Sequence, residues 1–197
     1  MSNQSAQPVH LDPRSPLVLD ARELPRSPGT VREFYRTVPA PVDLGVELIG
    51  VPEGADLVLD LTMASVTEGV YVSGRVSGPL RGECARCLRE IEDTISVDLG
   101  ELYAYENSTT DETTEEDEIG RVRGDLIDLE PALRDAVVLE LPSNPVCRPD
   151  CRGLCPECGL PWDELPAGHG HEQIDPRWAE LSTLRLANDV AEPESEE

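Results

Sequence analysis

Six cysteines and a pair of histidines constrain this chain more tightly than anything else in it. The cysteines fall in two places: Cys84-Ala85-Arg86-Cys87, and the run Cys147-x3-Cys151-x3-Cys155-x2-Cys158, with His169-Gly170-His171 soon after. A C-x2-C turn lets two thiolates from one tight loop grip one ion, and a tetrahedral site wants four nitrogen or sulfur donors at about 2.0–2.3 Å. Each C-x2-C supplies half a site, so each needs a second pair, and the pairs available are Cys147 with Cys151 and His169 with His171. The preferred division puts Cys155, Cys158, His169 and His171 in a local site closed by a short loop, which costs little closure entropy. Cys84 and Cys87 then take Cys147 and Cys151 at long range. The alternative is a single site made from the two C-x2-C pairs. Either way the spacing predicts zinc, as one or two Zn2+ ions, with Gly153 and Gly159 supplying permissive backbone beside the ligands. A thioredoxin-like redox pair fits less well, because neither C-x2-C opens a helix after a parallel strand. His10 stands in the N-terminal tail with no ligand near it in sequence.

Thiols kept for metal imply a reducing compartment. The N-terminus has no charged stretch leading into an apolar run, and nowhere do 18 apolar residues follow one another. A cytoplasmic protein with no membrane association is expected.

Ahead of and between the cysteines, apolar residues alternate. Val42, Leu44, Val46 and Leu48 form one set, and Leu57, Leu59, Leu61 and Met63 a second, after the turn-forming Pro52-Glu53-Gly54-Ala55-Asp56. Val70, Val72 and Val76 form a third, interrupted by Gly74 and closed by Gly78-Pro79; Ile91, Ile95, Val97 and Leu99 run on towards Tyr105 as a fourth. A period of two between Gly/Pro turns predicts an antiparallel sheet with one face buried. Pro16 to Asp20 reads as a short edge strand, and Val31 to Val38 fits a strand or a helical turn equally. A helix is expected from an N-cap at Asp128, with Pro131 in its first turn and Leu129, Leu133, Ala136, Val137 and Leu141 at helical spacing, stopping at Pro142. Its expected role is to cover the sheet. The fold class is therefore α+β: an antiparallel β-sheet with a covering helix and a zinc-binding C-terminal extension. The expected organisation is a flexible tail over 1–16, the α+β domain over 17–142, the zinc-binding extension over 143–186 and an acidic tail over 187–197.

Charge narrows the function. Forty acids stand against sixteen bases, all arginine, for a formal net charge of −24. Ile91 to Gly120 holds eleven acids and no base, and its part over about 107–118, with no apolar residue, reads as a disordered loop. Such a chain is repelled by nucleic-acid phosphates and anionic membranes and attracts basic partners, although the same charge also serves solubility. Arg81, Arg86 and Arg89 surround the first C-x2-C, while Arg148 and Arg152 flank the second cysteine pair. Brought together by zinc they would form the one basic patch, to touch RNA or a partner, or to balance nearby acids and thiolates. No G-x-S-x-G, Gly-rich phosphate loop, H-E-x2-H or zinc-deaminase pattern is present. A catalytic zinc keeps one position open for water, whereas ligands here are plentiful. The chain reads as not an enzyme, with no small-molecule substrate.

Cys84-Ala-Arg-Cys87-Leu88 after a Gly-Pro turn, Asp128-Leu129 opening a helix into Leu141-Pro142, the block Cys147 to Gly159, and Ile174-Asp-Pro-Arg177 with Leu181 and Leu184 beyond together resemble the YceD family. These are bacterial proteins linked to accumulation of large-subunit ribosomal RNA. The resemblance spans roughly Leu17 to Leu186, and the arginine-only, Ala/Gly/Pro/Val-rich composition suits an actinobacterial member. Many members carry Cys-x-Cys where this chain has His169-Gly170-His171, an exchange that keeps ligand capacity. The resemblance implies a gene neighbourhood with rpmF, which encodes a small basic zinc-ribbon protein of the large ribosomal subunit. The expectation is a non-enzymatic accessory factor for large-subunit ribosomal RNA synthesis, processing or stability, binding that basic protein and touching pre-ribosomal RNA only indirectly. A zinc hydrolase acting on RNA and a zinc-ribbon interaction adaptor are the alternatives.

Overall fold

The structure is a computed structural model that describes residues 11–115, 118–171 and 177. His10, Ile174, Asp175, Pro176, Leu181, Leu184, most of the expected N-terminal tail and all of the acidic tail lie outside the described residues. Two compact units divide the chain, Met1–Gly153 and Leu154–Glu197.

The first unit is mostly antiparallel β-sheet with few helices. Its strands are β1 (Val18–Asp20), β2 (Val31–Pro39), β3 (Leu44–Val46), β4 (Ile49–Val51), β5 (Asp56–Ser65), β6 (Gly69–Glu83), β7 (Glu90–Ala104), β8 (Gly120–Arg121) and β9 (Leu126–Asp128). The helices are α1 (Thr109–Thr113) and α2 (Glu130–Glu140). In the main sheet β2 pairs β5, β5 pairs β6 and β6 pairs β7, while β4 joins β6 further along and carries β3 beside it; all these ladders are antiparallel. Only β8, against Tyr103 and Ala104 of β7, runs parallel. β1 and β9 form a separate two-stranded ribbon.

Alternation decides which side chains go inside. Leu57, Leu59, Leu61 and Met63 of β5, Val70, Val72 and Val76 of β6, and Ile95, Val97 and Leu99 of β7 are all buried in one core cluster. Full burial of each such side chain stabilises by roughly 1.5–3 kcal/mol. Leu19 of β1, Ile127 of β9, and Leu133 and Val137 of α2 belong to the same cluster. Helix α2 lies against β3 and β7, and its Arg134 donates to the Val42 carbonyl oxygen at 3.1 Å.

Several expectations are revised. Val31 to Val38 is a strand, in register with β5 from Val31↔Ala64 to Pro39↔Asp56. The set from Val42 to Leu48 is not one strand: it breaks at Glu47-Leu48 into the β3–β4 hairpin, whose glycines Gly45 and Gly50 face each other at a spacing no side chain would fit. The strand through Val70 does not close at Gly78-Pro79 but continues to Glu83. Pro79 is tolerated because β5 leaves β6 at Ser77 and β4 joins only at Arg81, so that stretch of β6 has a partner on one side alone. The cap residue of α2 is Leu129 rather than Asp128, although the Asp128 carboxylate still accepts the Glu130 N–H at 3.0 Å. Within the stretch expected to be disordered, α1 forms a short helix. Ser108 caps it by accepting the Asp111 N–H, and Arg121 clamps Asp111 at 2.6 Å and the Thr114 carbonyl at 3.0 Å, giving that acidic stretch a cation from β8.

Gly74 lies within the continuous strand β6, paired with Leu61 of β5 and Leu99 of β7, yet its φ is +143° and a Cβ there would lie 2.2 Å from the Asp60 carbonyl oxygen of β5. Gly74→Ala should therefore cost about 2–4 kcal/mol, through both backbone strain and the clash. Urea denaturation of the variant checks this, and a loss below about 0.5 kcal/mol would contradict the reading.

Candidate metal centres

The two longest strands, β6 and β7, are joined by the first C-x2-C. Glu83 and Glu90 are the last cross-strand pair, and the six residues between them hold Cys84 and Cys87. Cys84 N–H donates to the Arg89 carbonyl at 2.8 Å, Leu88 N–H donates to the Cys84 carbonyl at 2.9 Å, and Leu88 has φ +59°. The loop thus points both sulfurs to one side.

The chain leaving α2 meets this loop. The Ala85 N–H donates to the Pro145 carbonyl at 2.8 Å, which delivers Cys147 and Cys151. The Arg86 guanidinium donates to the Cys151 carbonyl at 2.9 Å, and Gly153, at φ +77°, passes close to the Arg86 backbone. The sulfurs of Cys84, Cys87, Cys147 and Cys151 lie within 4.8 Å of one another, with Cys84–Cys151 at 3.8 Å and Cys87–Cys147 at 3.6 Å. A disulfide would need about 2.05 Å. A tetrahedron of four thiolates at about 2.3 Å from a metal has edges of about 3.8 Å, so these distances suit an ion.

The second unit builds a matching loop by itself. Cys155 N–H donates to the Leu160 carbonyl and Gly159 N–H to the Cys155 carbonyl, both at 2.8 Å, and Gly159 has φ +71°. The two C-x2-C turns therefore share one hydrogen-bond pattern and one left-handed residue, four positions after the first cysteine. Gly168, at φ +86°, turns the chain back so that His169 and His171 face Cys155 and Cys158, and the four donor atoms lie within 4.8 Å. Cys158 Sγ is 3.6 Å from His169 Nε2, about the edge expected for one sulfur and one nitrogen on a tetrahedral ion. Trp162 packs edge-on against His169 at 5.7 Å between ring centres. Both clusters could hold metal ions.

Their electrostatics prepare this. Burial pushes the Cys84 thiol up, but the backbone N–H groups of Cys147, Cys87 and Arg86 aimed at its sulfur outweigh that and bring it down to about 6. Cys147, although exposed, goes the other way, to about 12, through local desolvation of its sulfur and the neighbouring sulfurs of Cys87, Cys151 and Cys84. In the second cluster the Cys158 N–H, opposed by burial and helped by Glu157 N–H and His169, brings Cys155 to about 6. Cys84 and Cys155 are thus each biased towards the thiolate, the form that ligates a metal.

The five arginines of the expected basic patch all belong to the first unit, and those whose partners are seen are engaged. Arg81 pairs Glu92 at 3.3 Å, Arg148 pairs Asp150 at 3.1 Å and Arg86 holds Cys151; Arg89 is half-buried and Arg152 exposed. The sequence did not disclose the Arg86 clamp or the left-handed Leu88, since neither residue type signals such a role.

Residues 72–185 match the family model described as "Large ribosomal RNA subunit accumulation protein YceD". The chain belongs to the YceD family. The model begins later than the Leu17 start of the sequence resemblance. A curated relative from Mycobacterium tuberculosis (strain ATCC 25618 / H37Rv), named as an uncharacterized protein, is 53% identical over 181 residues, 92% of this chain and 87% of the relative. One from Mycobacterium leprae (strain TN) is 46% identical, covering 89% of this chain and 80% of the relative. YlbN of Bacillus subtilis (strain 168) is 28% identical over 58% of this chain and 65% of its own length. No solved structure matches. The family's name concerns large-subunit ribosomal RNA, and its matched segment contains all eight candidate ligands.

Leu88 is 58% exposed and held at positive φ without packing to compensate. Left-handed backbone costs a branched residue roughly 1–2 kcal/mol, partly offset by the greater unfolded-state freedom of glycine, so Leu88→Gly should raise stability by about 0.5–1 kcal/mol. An unchanged or lowered midpoint in thermal and urea unfolding would contradict the left-handed assignment.

Proposed function

We propose that this YceD-family chain is a non-enzymatic accessory factor of the cytoplasm that supports large-subunit ribosomal RNA accumulation by binding a basic ribosomal protein, such as the rpmF product. The observation that carries the reading is the charge distribution. The net charge of −24, with eleven acids and no base between Ile91 and Gly120, suits a cationic partner and opposes direct capture of RNA. Ribosomal proteins are basic because they bind RNA, and an acidic surface can shield such a protein before assembly. Pre-ribosomal RNA is then reached through the partner.

In this reading both clusters hold Zn2+ as structural ions. Four protein donors at each fill a tetrahedron and leave no position for a reacting water, which favours a structural role over a zinc hydrolase. Cys84, Cys87, Cys147 and Cys151 would fasten the β6–β7 turn to the chain after α2, keeping α2 as a cover over the sheet. Cys155, Cys158, His169 and His171 would order the second unit. Among the described residues no helix is long and apolar enough to cross a membrane.

Two measurements test these proposals. Pull-down of the tagged chain from a lysate of its own organism, with and without ribonuclease, should retain a small basic ribosomal protein after digestion; recovery of pre-ribosomal RNA that vanishes with ribonuclease, with no protein left bound, would overturn the partner proposal. Metal analysis of protein purified without chelator should give about two zinc ions per chain, with Cys87→Ser and His171→Ala each losing about one. Cobalt exchange should separate them: Cys87→Ser leaves the mixed sulfur–nitrogen spectrum, and His171→Ala leaves the four-sulfur one. Full zinc retention in both variants would contradict the assigned ligands.

A further inference from the structure

Strand β7 has a complete partner on one side only. Every residue from Glu90 to Ala104 pairs with β6, but on the other edge β8 reaches only Tyr103 and Ala104. Among the described residues no main-chain group pairs with the outer edge between Glu90 and Leu102. Its outer-face residues Glu92, Thr94, Ser96, Asp98 and Gly100 are exposed. An open edge of this length is a template for another strand, and proteins usually blunt such edges.

The charges on it choose what can pair. β7 carries Glu90, Glu92, Asp93, Asp98 and Glu101 and no basic residue. Asp98 and Glu92 are met by Arg75 and Arg81 from β6, in exposed pairs at 3.0 and 3.3 Å. Glu90, Asp93 and Glu101 have no ion-pair partner among the described residues. Where β7 begins it also borders a groove of about 570 Å³ that Glu47, Glu83, Glu90 and Glu92 line. A second copy of this chain would place like charges opposite one another, which destabilises a ladder. A strand rich in arginine or lysine would meet five carboxylates along β7, three of them at its start (Glu90, Glu92 and Asp93) and two further along (Asp98 and Glu101). The opposite edge of the sheet, β2, lacks this pattern, with Arg32, Glu33 and Arg36 of mixed sign.

We propose that the outer edge of β7, from Glu90 to Leu102, is a docking strand for an extended, cation-rich segment of a protein partner, which joins the sheet as an added strand. Main-chain hydrogen bonds supply the affinity and the carboxylates supply the selection. The inference rests on the basic-partner reading above and assigns that partner a surface.

The test uses the full, zinc-loaded chain and a synthetic peptide of about twelve residues alternating arginine and threonine. Hydrogen exchange should show new protection of amides within 90–102 and none within 31–39. A second peptide of the same sequence, N-methylated on alternate residues along one edge, keeps the charge but removes the donors, and should bind at least about tenfold more weakly. Asp93→Lys/Glu101→Lys should weaken the unmodified peptide by a similar factor. Equal binding of the N-methylated peptide, or protection on β2 in place of β7, would overturn the proposal. The natural partner separates this idea from the one it rests on. If a basic protein survives the ribonuclease pull-down and the double charge reversal leaves its capture unchanged, the edge assignment falls and the partner reading stands.

Discussion

The fifteen-residue pairing of β6 with β7 is what the rest of the structure depends on. The other face-forming strands attach to it: β5 and β4 take turns along the free side of β6, and β8 ends on β7. Its register puts Val70, Val72 and Val76 on the same side as Ile95, Val97 and Leu99, so one hairpin presents an apolar face to which Leu133 and Val137 of α2 contribute from elsewhere. A one-residue slip would expose all of those side chains at once. So long a hairpin has few local constraints on register, and its turn must supply one. Here that turn is the first cysteine loop, whose i to i+5 and i+4 to i hydrogen bonds fix where the two strands start to pair.

The same loop geometry occurs twice, once in each unit, and the comparison between them is informative. Gly159 occupies the left-handed position at no steric cost, while Leu88 occupies the equivalent position at a real one. The loop around Leu88 is over-determined: it has β6 and β7 on both sides, the Pro145 carbonyl bound to Ala85, and Arg86 bound to Cys151. The loop around Gly159 has a short turn and a single bridge from Leu154 to Pro161 instead of long strands. Strain is therefore carried where the surrounding structure can hold it.

How much of this was legible follows from the range of each signal. Alternation at Leu57 to Met63 and Ile95 to Leu99 named the core because a period of two survives any topology. Cysteine spacing named eight candidate ligands, and the fold gathers them into two groups of four, one long-range and one closed by a short loop, that could each hold a metal ion. What failed were boundaries settled by a neighbour. Gly78-Pro79 reads as a stop in one dimension, but it falls where β6 has lost β5 and not yet met β4. Val42 to Leu48 alternates well, yet Gly45 and Gly50 approach too closely for anything but a hairpin between glycines. The acidic stretch reads as a disordered loop because it holds no cation of its own; Arg121, which pairs with Asp111 of the short helix α1, lies beyond the acids in sequence.

Charge then distinguishes what folds the protein from what it does. At least eight of the sixteen arginines already face a carboxylate, among them Arg75 with Asp98 and Arg121 with Asp111. Pairs as exposed as most of these contribute about 0–1 kcal/mol each, so they do not explain why the chain holds the residues it does. The acids left over are a cost, since self-repulsion destabilises a compact state. Spread evenly they would serve solubility alone. Instead Glu83 stands directly across from Glu90 at the end of the hairpin, and five acids without a base occupy one strand. Like charges in cross-strand register weaken the ladder that organises the whole sheet. Arg75 and Arg81 of β6 offset part of that cost at Asp98 and Glu92. Glu83 and Glu90 face each other with no ion-pair partner among the described residues, so the apolar face of the hairpin must carry the difference.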